Sequence, residues 1–479
     1  MSFILEIKPF LRQCLVTAGV SLCMMEHGLV VSFASVLIPQ LRKDDIYVNE
    51  NMETWIASIQ STSLFLGAFI TPYMMSRYGR RKANLVCSVL MIVGWISVMV
   101  APSAGIILFG RFMQGVALGI SSLTGSVLVA EYSSPRYRGT FMTIMTLSLI
   151  SGCLVIHILG SLFPWRKAAG ISLGITIVDL IVIAISPESP MFLVTRGRYD
   201  ECRKVFHWLR GLNEDEELEA MIKSDMRMKE SHIRPNTKKF INGVREIIQN
   251  IKDPEFFKPL IVLWHLVIIN IWCGGLIVDV YANDIYPKLM GSNVDVVSII
   301  IIADCVRLAS LFCAIVVHTK FKRRHMLILL VSLNVVIYFV IAGCSYLIDR
   351  GFITNSIVGL ILIIVHIFIH SIGATALTNT LPGEILPLKY KGIHSMLSTF
   401  FVSLNITVAF KTLPYLFSHI GLSAAYCIYG SIIAYGMIVA AIMMPETNGR
   451  TLLSIEEHWK KPVKETYLTK SLSTPNEDI

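Results

Sequence analysis

Apolar residues in this chain gather into long runs, not into the two-residue alternation of half-buried strands. Twelve such segments can be laid out. Six lie at about 13–39, 55–76, 83–102, 105–130, 140–163 and 168–186. After a polar stretch of about 70 residues, six more lie at about 257–282, 294–318, 325–348, 355–382, 393–417 and 422–444. Each approaches the ~20 residues that carry a helix across a hydrocarbon core, whereas a barrel strand would cross in about ten alternating residues. A helix also satisfies its own backbone groups where no water is available. The pattern predicts an all-α membrane protein of twelve transmembrane helices. Its parts are an N-terminal tail (1–12), a first six-helix bundle (13–186), a linker with short helices (187–256), a second six-helix bundle (257–444) and a tail (445–479). Met1–Arg12 lacks a small-residue cleavage site, so the first apolar run is read as a retained span. Within the linker, Tyr199–Leu212 and Glu214–Lys229 have amphipathic helical periodicity.

Composition agrees with this reading: 54% of the 479 residues are hydrophobic and 16% are charged, against about a quarter charged in soluble domains. The formal net charge of +9 does not point to nucleic acid, because the basic residues sit in particular loops. The termini and the short loops after even-numbered segments hold 19 Lys and Arg, and the odd-numbered loops hold 6. The positive-inside rule then places both termini in the cytoplasm. The ten cysteines form no CxxC pair, and no metal or cofactor is expected. His366 and His370 stand four apart without a third ligand and are read as a packing pair. There is no Walker A sequence and no nucleophile–base constellation, so neither ATP-driven pumping nor an enzyme is indicated.

The two halves repeat one another. Arg77-Tyr78-Gly79-Arg80-Arg81-Lys82 is matched by Lys320-Phe321-Lys322-Arg323-Arg324-His325, 243 residues on. Glu131 with Arg138-Gly139 is matched by Glu384 with Lys391-Gly392 at 253, and Pro187-Glu188-Ser189 by Pro445-Glu446-Thr447 at 258. Parallel six-helix repeats place a solute site near mid-depth between the halves, with rocking as the motion. The repeated acids Glu131, Glu188, Glu384 and Glu446 face Arg77, Arg80, Arg81, Arg138, Arg323, Arg324 and Lys391. They are candidate gate pairs that hold the halves together on the cytoplasmic side, because guanidinium grips carboxylate in a fork.

These motifs resemble the sugar porter family of the major facilitator superfamily and, within it, the insect facilitated trehalose carriers. Gly110-Arg111-Phe112, Pro187-Glu188-Ser189-Pro190, Arg196-Gly197-Arg198-Tyr199, Gly383-Glu384-Ile385-Leu386-Pro387 and Pro445-Glu446-Thr447-Asn448-Gly449-Arg450-Thr451 carry the likeness along nearly the whole chain. The resemblance implies the major facilitator fold and facilitated transport of a small solute, a hexose or a trehalose-like sugar. It further implies a plasma-membrane monomer whose short linker helices latch the halves. Departures include Ser76 and Thr319 at the acidic positions before the basic motifs, and Met191 where an arginine is expected. The family's sugar-contact positions fall on Thr146, Asn270, Ile271, Leu276, Arg307, Asn379 and Val402. Thr146, Asn270, Arg307 and Asn379 are the candidate substrate contacts.

Charges within apolar segments are costly, roughly 2.5–3.5 kcal/mol at the bilayer centre even on lenient scales, and each needs a partner or water. Glu26, Arg111, Asp179, Asp279, Asp304, Arg307 and Lys411 are such residues. The family's span-1 acid, which faces the span-4 arginine in proton-coupled relatives, falls on Phe33, leaving Glu26 as the candidate partner of Arg111. Asp304 and Arg307, three apart, lie on one helix face. They form either a self-neutralising pair or a site in which Arg307 points into the cavity and receives an anionic or strongly hydrogen-bonding cargo. A carrier of a sugar is therefore expected, with an organic-anion carrier, a proton-coupled carrier or a non-transporting sensor of the same fold as alternatives.

Overall fold

The computed structural model describes residues 2–44, 46, 49–212, 214–230, 253–291, 294–352, 356–387, 390–447, 450 and 452–459. The first half runs through α1 (Ser2–Leu41), α2 (Glu50–Tyr78), α3 (Arg80–Met99), α4 (Ala104–Tyr132), α5 (Pro135–Leu162) and α6 (Trp165–Ile185). Short helices α7 (Pro190–Thr195), α8 (Tyr199–Arg210) and α9 (Asp215–Glu230) follow. The second half contains α10 (Pro254–Trp272), α11 (Gly275–Val280), α12 (Ala282–Met290), α13 (Val296–Lys320), α14 (Arg323–Asp349) and α15 (Ser356–His370). It continues through a π-helical turn (Ser371–Thr375), α16 (Ala376–Thr380), α17 (Pro382–Ile385), α18 (Lys391–His419), α19 (Leu422–Met443) and α20 (Leu452–Trp459).

Among the described residues, eleven helices are long and apolar enough to cross a membrane. The twelfth expected span, α2, is a 29-residue helix that falls short on hydropathy. Its polar side chains Ser58, Gln60, Ser61 and Ser63 are buried, and it packs against α4 in its own half and α18 in the other. It faces protein, so it needs less apolar surface than a lipid-facing helix.

Two expected spans are interrupted. The run 257–282 is not one helix: it stops at Trp272, turns at Gly274 with φ 78°, and resumes as α11 and α12. A side chain on Gly274 would lie 2.5 Å from the Tyr338 hydroxyl, and one on Gly275 would lie 2.5 Å from His370 Nε2. Both glycines are needed for the break and for what packs into it. The run 355–382 keeps a helical course, its α-helical register interrupted by the π-helical turn. Interrupted helices at membrane depth occur where protein or a cavity re-satisfies the backbone.

Within the first half, α1 packs on α5 and α6, and α3 and α4 pack on each other. Within the second, α10 and α14 pack on α19. The halves meet where α2 touches α18, α5 touches α13, and α1 touches α11 and α12. The described linker helices dock on the first half: Arg12 donates to the Trp208 carbonyl at 3.1 Å, and Gln13 to the Leu209 carbonyl at 3.2 Å.

Glycines set close helix approaches, among them the one between α2 and α4. A Cβ on Gly119 would stand 2.0 Å from the Leu64 carbonyl oxygen, and one on Gly67 would stand 2.0 Å from that of Val116. Gly174 in α6 has nothing within 4 Å. Gly119→Ala is therefore expected to destabilise by about 1–3 kcal/mol through overpacking. Gly174→Ala should be neutral or slightly stabilising. Thermal melting of the two purified variants in detergent, beside the parent chain, checks the contrast.

Candidate functional site

The basic motifs sit together at one end of the bundle, here called the basic end. There the repeated acids act within each half. Glu188 Oε1 accepts from the backbone amides of Arg80 at 3.0 Å and Arg81 at 3.1 Å, closing the N-terminus of α3. Glu446 does the same for α14, accepting from the amides of Arg323 at 3.0 Å and Arg324 at 3.3 Å. A carboxylate there meets both unpaired amides and the positive end of the helix dipole. Gly79, at φ 102°, makes the approach possible, since a Cβ would lie 2.2 Å from a Glu188 oxygen.

The side-chain pairs are equally local. Arg80 meets Glu131 at 3.1 Å, and Arg323 meets Glu384. Arg81 donates to the Ala184 carbonyl, and Arg324 to the Ala441 carbonyl at 2.6 Å. Arg138 donates to the Ser133 carbonyl at 3.4 Å, and Arg77 lies 5.8 Å over the Tyr78 ring. The side chain of Lys391 falls outside the described residues. Among the described residues, ion pairs at this end stay within one half in this structure, and Glu188 and Glu446 serve as helix caps.

The intramembrane charges divide into two sets. Arg111 is fully buried and donates to the Val30 carbonyl at 2.6 Å, the Ile56 carbonyl at 3.4 Å and Gln114 Oε1 at 3.4 Å. The expected pairing with Glu26 does not form. Glu26 lies one turn away, about 6 Å along α1, and faces Asp179 and Thr176 of α6. Asp179 accepts from Ser88 at 2.7 Å. Phe33 packs edge-on against Trp95, ring centroids 5.2 Å apart.

The second set lies between the halves. Arg307 donates to Asp304 at 2.7 Å, to Asp279 at 2.8 Å and to the carbonyl of Gly275 at 3.0 Å. It pairs with two buried carboxylates and satisfies a carbonyl at the broken helix. Asp304 also lies 2.5 Å from Nδ1 of His157 on α5. Nearby, His366 contacts Asn334 at 3.0 Å and His370 contacts Thr375 at 3.1 Å.

Other contacts between the halves lie from mid-depth to the far end, the end away from the basic motifs. Ser403 donates to the Ser61 carbonyl, Thr62 and Thr407 are 3.0 Å apart, and Phe65 packs edge-on against Phe400 at 4.8 Å. Lys411 donates to Thr54 at 2.9 Å and lies 3.7 Å over the Trp55 ring. Arg42 bridges Glu53 at 2.8 Å and Asp284 at 2.9 Å. Toward the basic end, by contrast, a pocket of about 290 Å³ lies along α1 and α5, lined in part by Thr17, Ser21, Met25, Phe141 and Ser148. Of the candidate substrate contacts, Thr146 bonds back to the Met142 carbonyl at 3.2 Å, Asn270 is half-buried, and the side chain of Asn379 falls outside the described residues.

Residues 14–459 match the model of the sugar (and other) transporter family. The chain belongs to that family. It is a non-enzymatic carrier of the sugar porter type, built as a multi-pass membrane protein. It is 28% identical over 463 residues to the facilitated trehalose transporter Tret1 of Apis mellifera ligustica, covering 95% of this chain and 90% of that one. The Tret1 of Drosophila willistoni is also 28% identical, over 93% of this chain but 50% of its own length. The fold is that of the major facilitator superfamily. The proton:xylose symporter XylE bound to 6-bromo-6-deoxy-D-glucose superposes with a TM-score of 0.73 at 17% identity, over 94% of this chain and 99% of that one. An inward-open XylE from E. coli superposes at 0.74, also at 17% identity, over 93% and 99%.

His157 was missed by sequence reasoning, although it stands as a solitary ionisable residue in the apolar run Leu154-Val155-Ile156-His157-Ile158-Leu159 of this carrier. Arg42 and Glu53 carried no motif and were legible only as loop charge. The network yields a test. Arg307→Leu leaves Asp279 buried without its cation and should destabilise by about 3–5 kcal/mol. Adding Asp279→Asn should recover part of that loss, because Asp304 keeps His157. Melting temperatures of the single and double variants in detergent decide it, and an unchanged single variant would refute the pairing.

Proposed function

We propose that this carrier moves a sugar, a hexose or a trehalose-like disaccharide, down its gradient by alternating access of the two halves. The observation that supports this most directly is the distribution of contacts. Basic-end polar clusters close upon themselves within each half, whereas the polar and aromatic contacts between halves run from mid-depth to the far end. Each half is thus a self-contained unit at the basic end, and the joint between them is made of separable contacts. Exposed or partly exposed ion pairs such as Arg42–Asp284 contribute only about 0–1 kcal/mol each. Such contacts suit a state that must be left on every cycle.

A neutral solute is favoured because the guanidinium of Arg307 is already held by two carboxylates, and the pocket along α1 and α5 is lined mainly by apolar side chains with no charge among them. Facilitated transport is favoured over obligatory proton coupling by Phe33, which leaves Arg111 bonded to carbonyls and an amide oxygen. The names of the insect relatives point the same way. The basic end is taken as cytoplasmic from its charge, with both termini on that side and the plasma membrane as the site of action.

The test is a panel of radiolabelled trehalose, glucose and other hexoses offered to the full chain in proteoliposomes. We expect saturable entry of at least one sugar that stops when inside and outside concentrations are equal, with the same end point in the presence of a protonophore. No sugar entering faster than into empty vesicles would refute sugar transport. Accumulation above the outside concentration that a protonophore abolishes would refute the facilitated mode.

A further inference from the structure

We propose that His157 is a proton-binding site that ties the two halves together, so that protonation favours the state closed at the far end. The proposal rests on the alternation of the halves argued above and not on the identity of the cargo.

Both ring nitrogens of His157 have partners, one of them a carboxylate. The ring is buried, 3% exposed. Nδ1 lies 2.5 Å from Asp304 Oδ2, an acceptor, and so carries a proton. Nε2 lies 2.8 Å from Ser35 Oγ, which also lies 2.6 Å from the Ser32 carbonyl. The one Ser35 proton goes to Ser32 when the ring is doubly protonated and to Nε2 when the ring is neutral, so the contacts accommodate both states.

Charge balance favours the doubly protonated ring. The cluster holds Asp279 and Asp304, two negative charges, against the single positive charge of Arg307. With His157 protonated the buried cluster is neutral, and with His157 neutral it carries one uncompensated charge, which a low-dielectric interior disfavours. Other titratable groups stand beside the same cluster: Tyr286 on α12, and His366 and His370 on α15 next to the Arg307 cation. Cys153, one turn earlier on α5, is buried beside the same cluster. On α1, Ser35 is a hydroxyl, and Glu26 faces Asp179 of α6. On α13, Asp304 and Arg307 are the charged neighbours, and Asp279 is the one on α11.

The location makes this proton consequential. His157 and Ser35 belong to the first half, and Asp304, Arg307 and Asp279 to the second. The 2.5 Å contact joins the halves near mid-depth, on the side of the joint that the far-end contacts continue. When the far end opens, α5 and α13 part and the imidazolium loses its carboxylate. A proton bound more tightly in one state shifts the population toward that state. Histidine is the side chain whose charge changes between about pH 5 and 8. Protons thus bias which way the carrier rests without being carried in fixed ratio with the solute.

The experiment reads conformation and needs no substrate. The full chain, with exposed Cys305 and Cys313 changed to serine, carries spin labels at Ser103→Cys and Phe352→Cys, far-end positions in opposite halves. Inter-label distances are measured in nanodiscs at about pH 5.5 and about pH 8, where a histidine changes charge. The expected result is a closed-to-open ratio about tenfold higher in acid, within the 5- to 150-fold range of typical coupling. In His157→Gln and in Asp304→Asn the ratio should be the same at both pH values, with each variant still monodisperse in size-exclusion chromatography. Identical distributions for the parent chain at the two pH values would overturn the proposal. So would a pH shift that survives in either variant. Sugar flux in the proteoliposome assay is scored separately, so loss of the latch and loss of the transport reading are distinct outcomes.

Discussion

A charge buried between two moving bodies must be neutralised in every arrangement those bodies adopt, and in this carrier that constraint falls on Arg307. Its guanidinium meets Asp304 on its own helix, Asp279 beyond the helix break, and the carbonyl of Gly275 at the break itself. An interrupted helix at membrane depth leaves backbone groups without partners, and here one of them is satisfied by an arginine. All three bonds lie within the second half, so Arg307 remains neutralised whichever way the halves lean. The remaining lone pairs of Asp304 are the ones that reach across to His157. Internal neutrality and coupling between halves are in this way separated onto different atoms of one carboxylate.

The duplicated motifs show a comparable division of labour. In both halves the glutamate after the sixth helix caps the helix that follows the basic motif, through backbone amides. In both halves the next acid takes the arginine side chain, Glu131 with Arg80 and Glu384 with Arg323. These bonds make each basic end a closed unit. They stabilise the half, and none of them has to break when the halves part. The joint between halves is built from weaker elements: hydroxyl pairs, an edge-on Phe65–Phe400 contact and a cation–π contact between Lys411 and Trp55.

Much of this architecture was legible in the residue pattern, and the limits have identifiable causes. The length of apolar runs located the membrane-spanning helices, because lipid imposes that length directly. The same pattern located α2, although that helix is polar where it faces protein and falls short on hydropathy. The spacing of Glu131, Glu188, Glu384 and Glu446 exposed the duplication, but spacing is the same whether a carboxylate caps amides or grips a guanidinium. The Gly274-Gly275 break was hidden inside a continuous apolar run, since its need for glycine comes from Tyr338 and His370, distant in sequence. His157 was passed over for a related reason: one histidine in an apolar helix carries no signal until the helix opposite is known to present Asp304.

The same geometry bears on cargo. A free guanidinium at mid-depth would draw anions into the cleft, and a sugar would compete poorly with them. Two carboxylates on Arg307 remove that attraction, and a protonated His157 leaves the cluster without net charge. The pocket along α1 and α5 has a mainly apolar lining without a charged side chain. Hydrogen bonds between a neutral solute and neutral groups form and break at little net cost, about 0.5–1.5 kcal/mol each. A carrier has to release what it binds, and an uncharged wall meets that requirement where a naked charge would not.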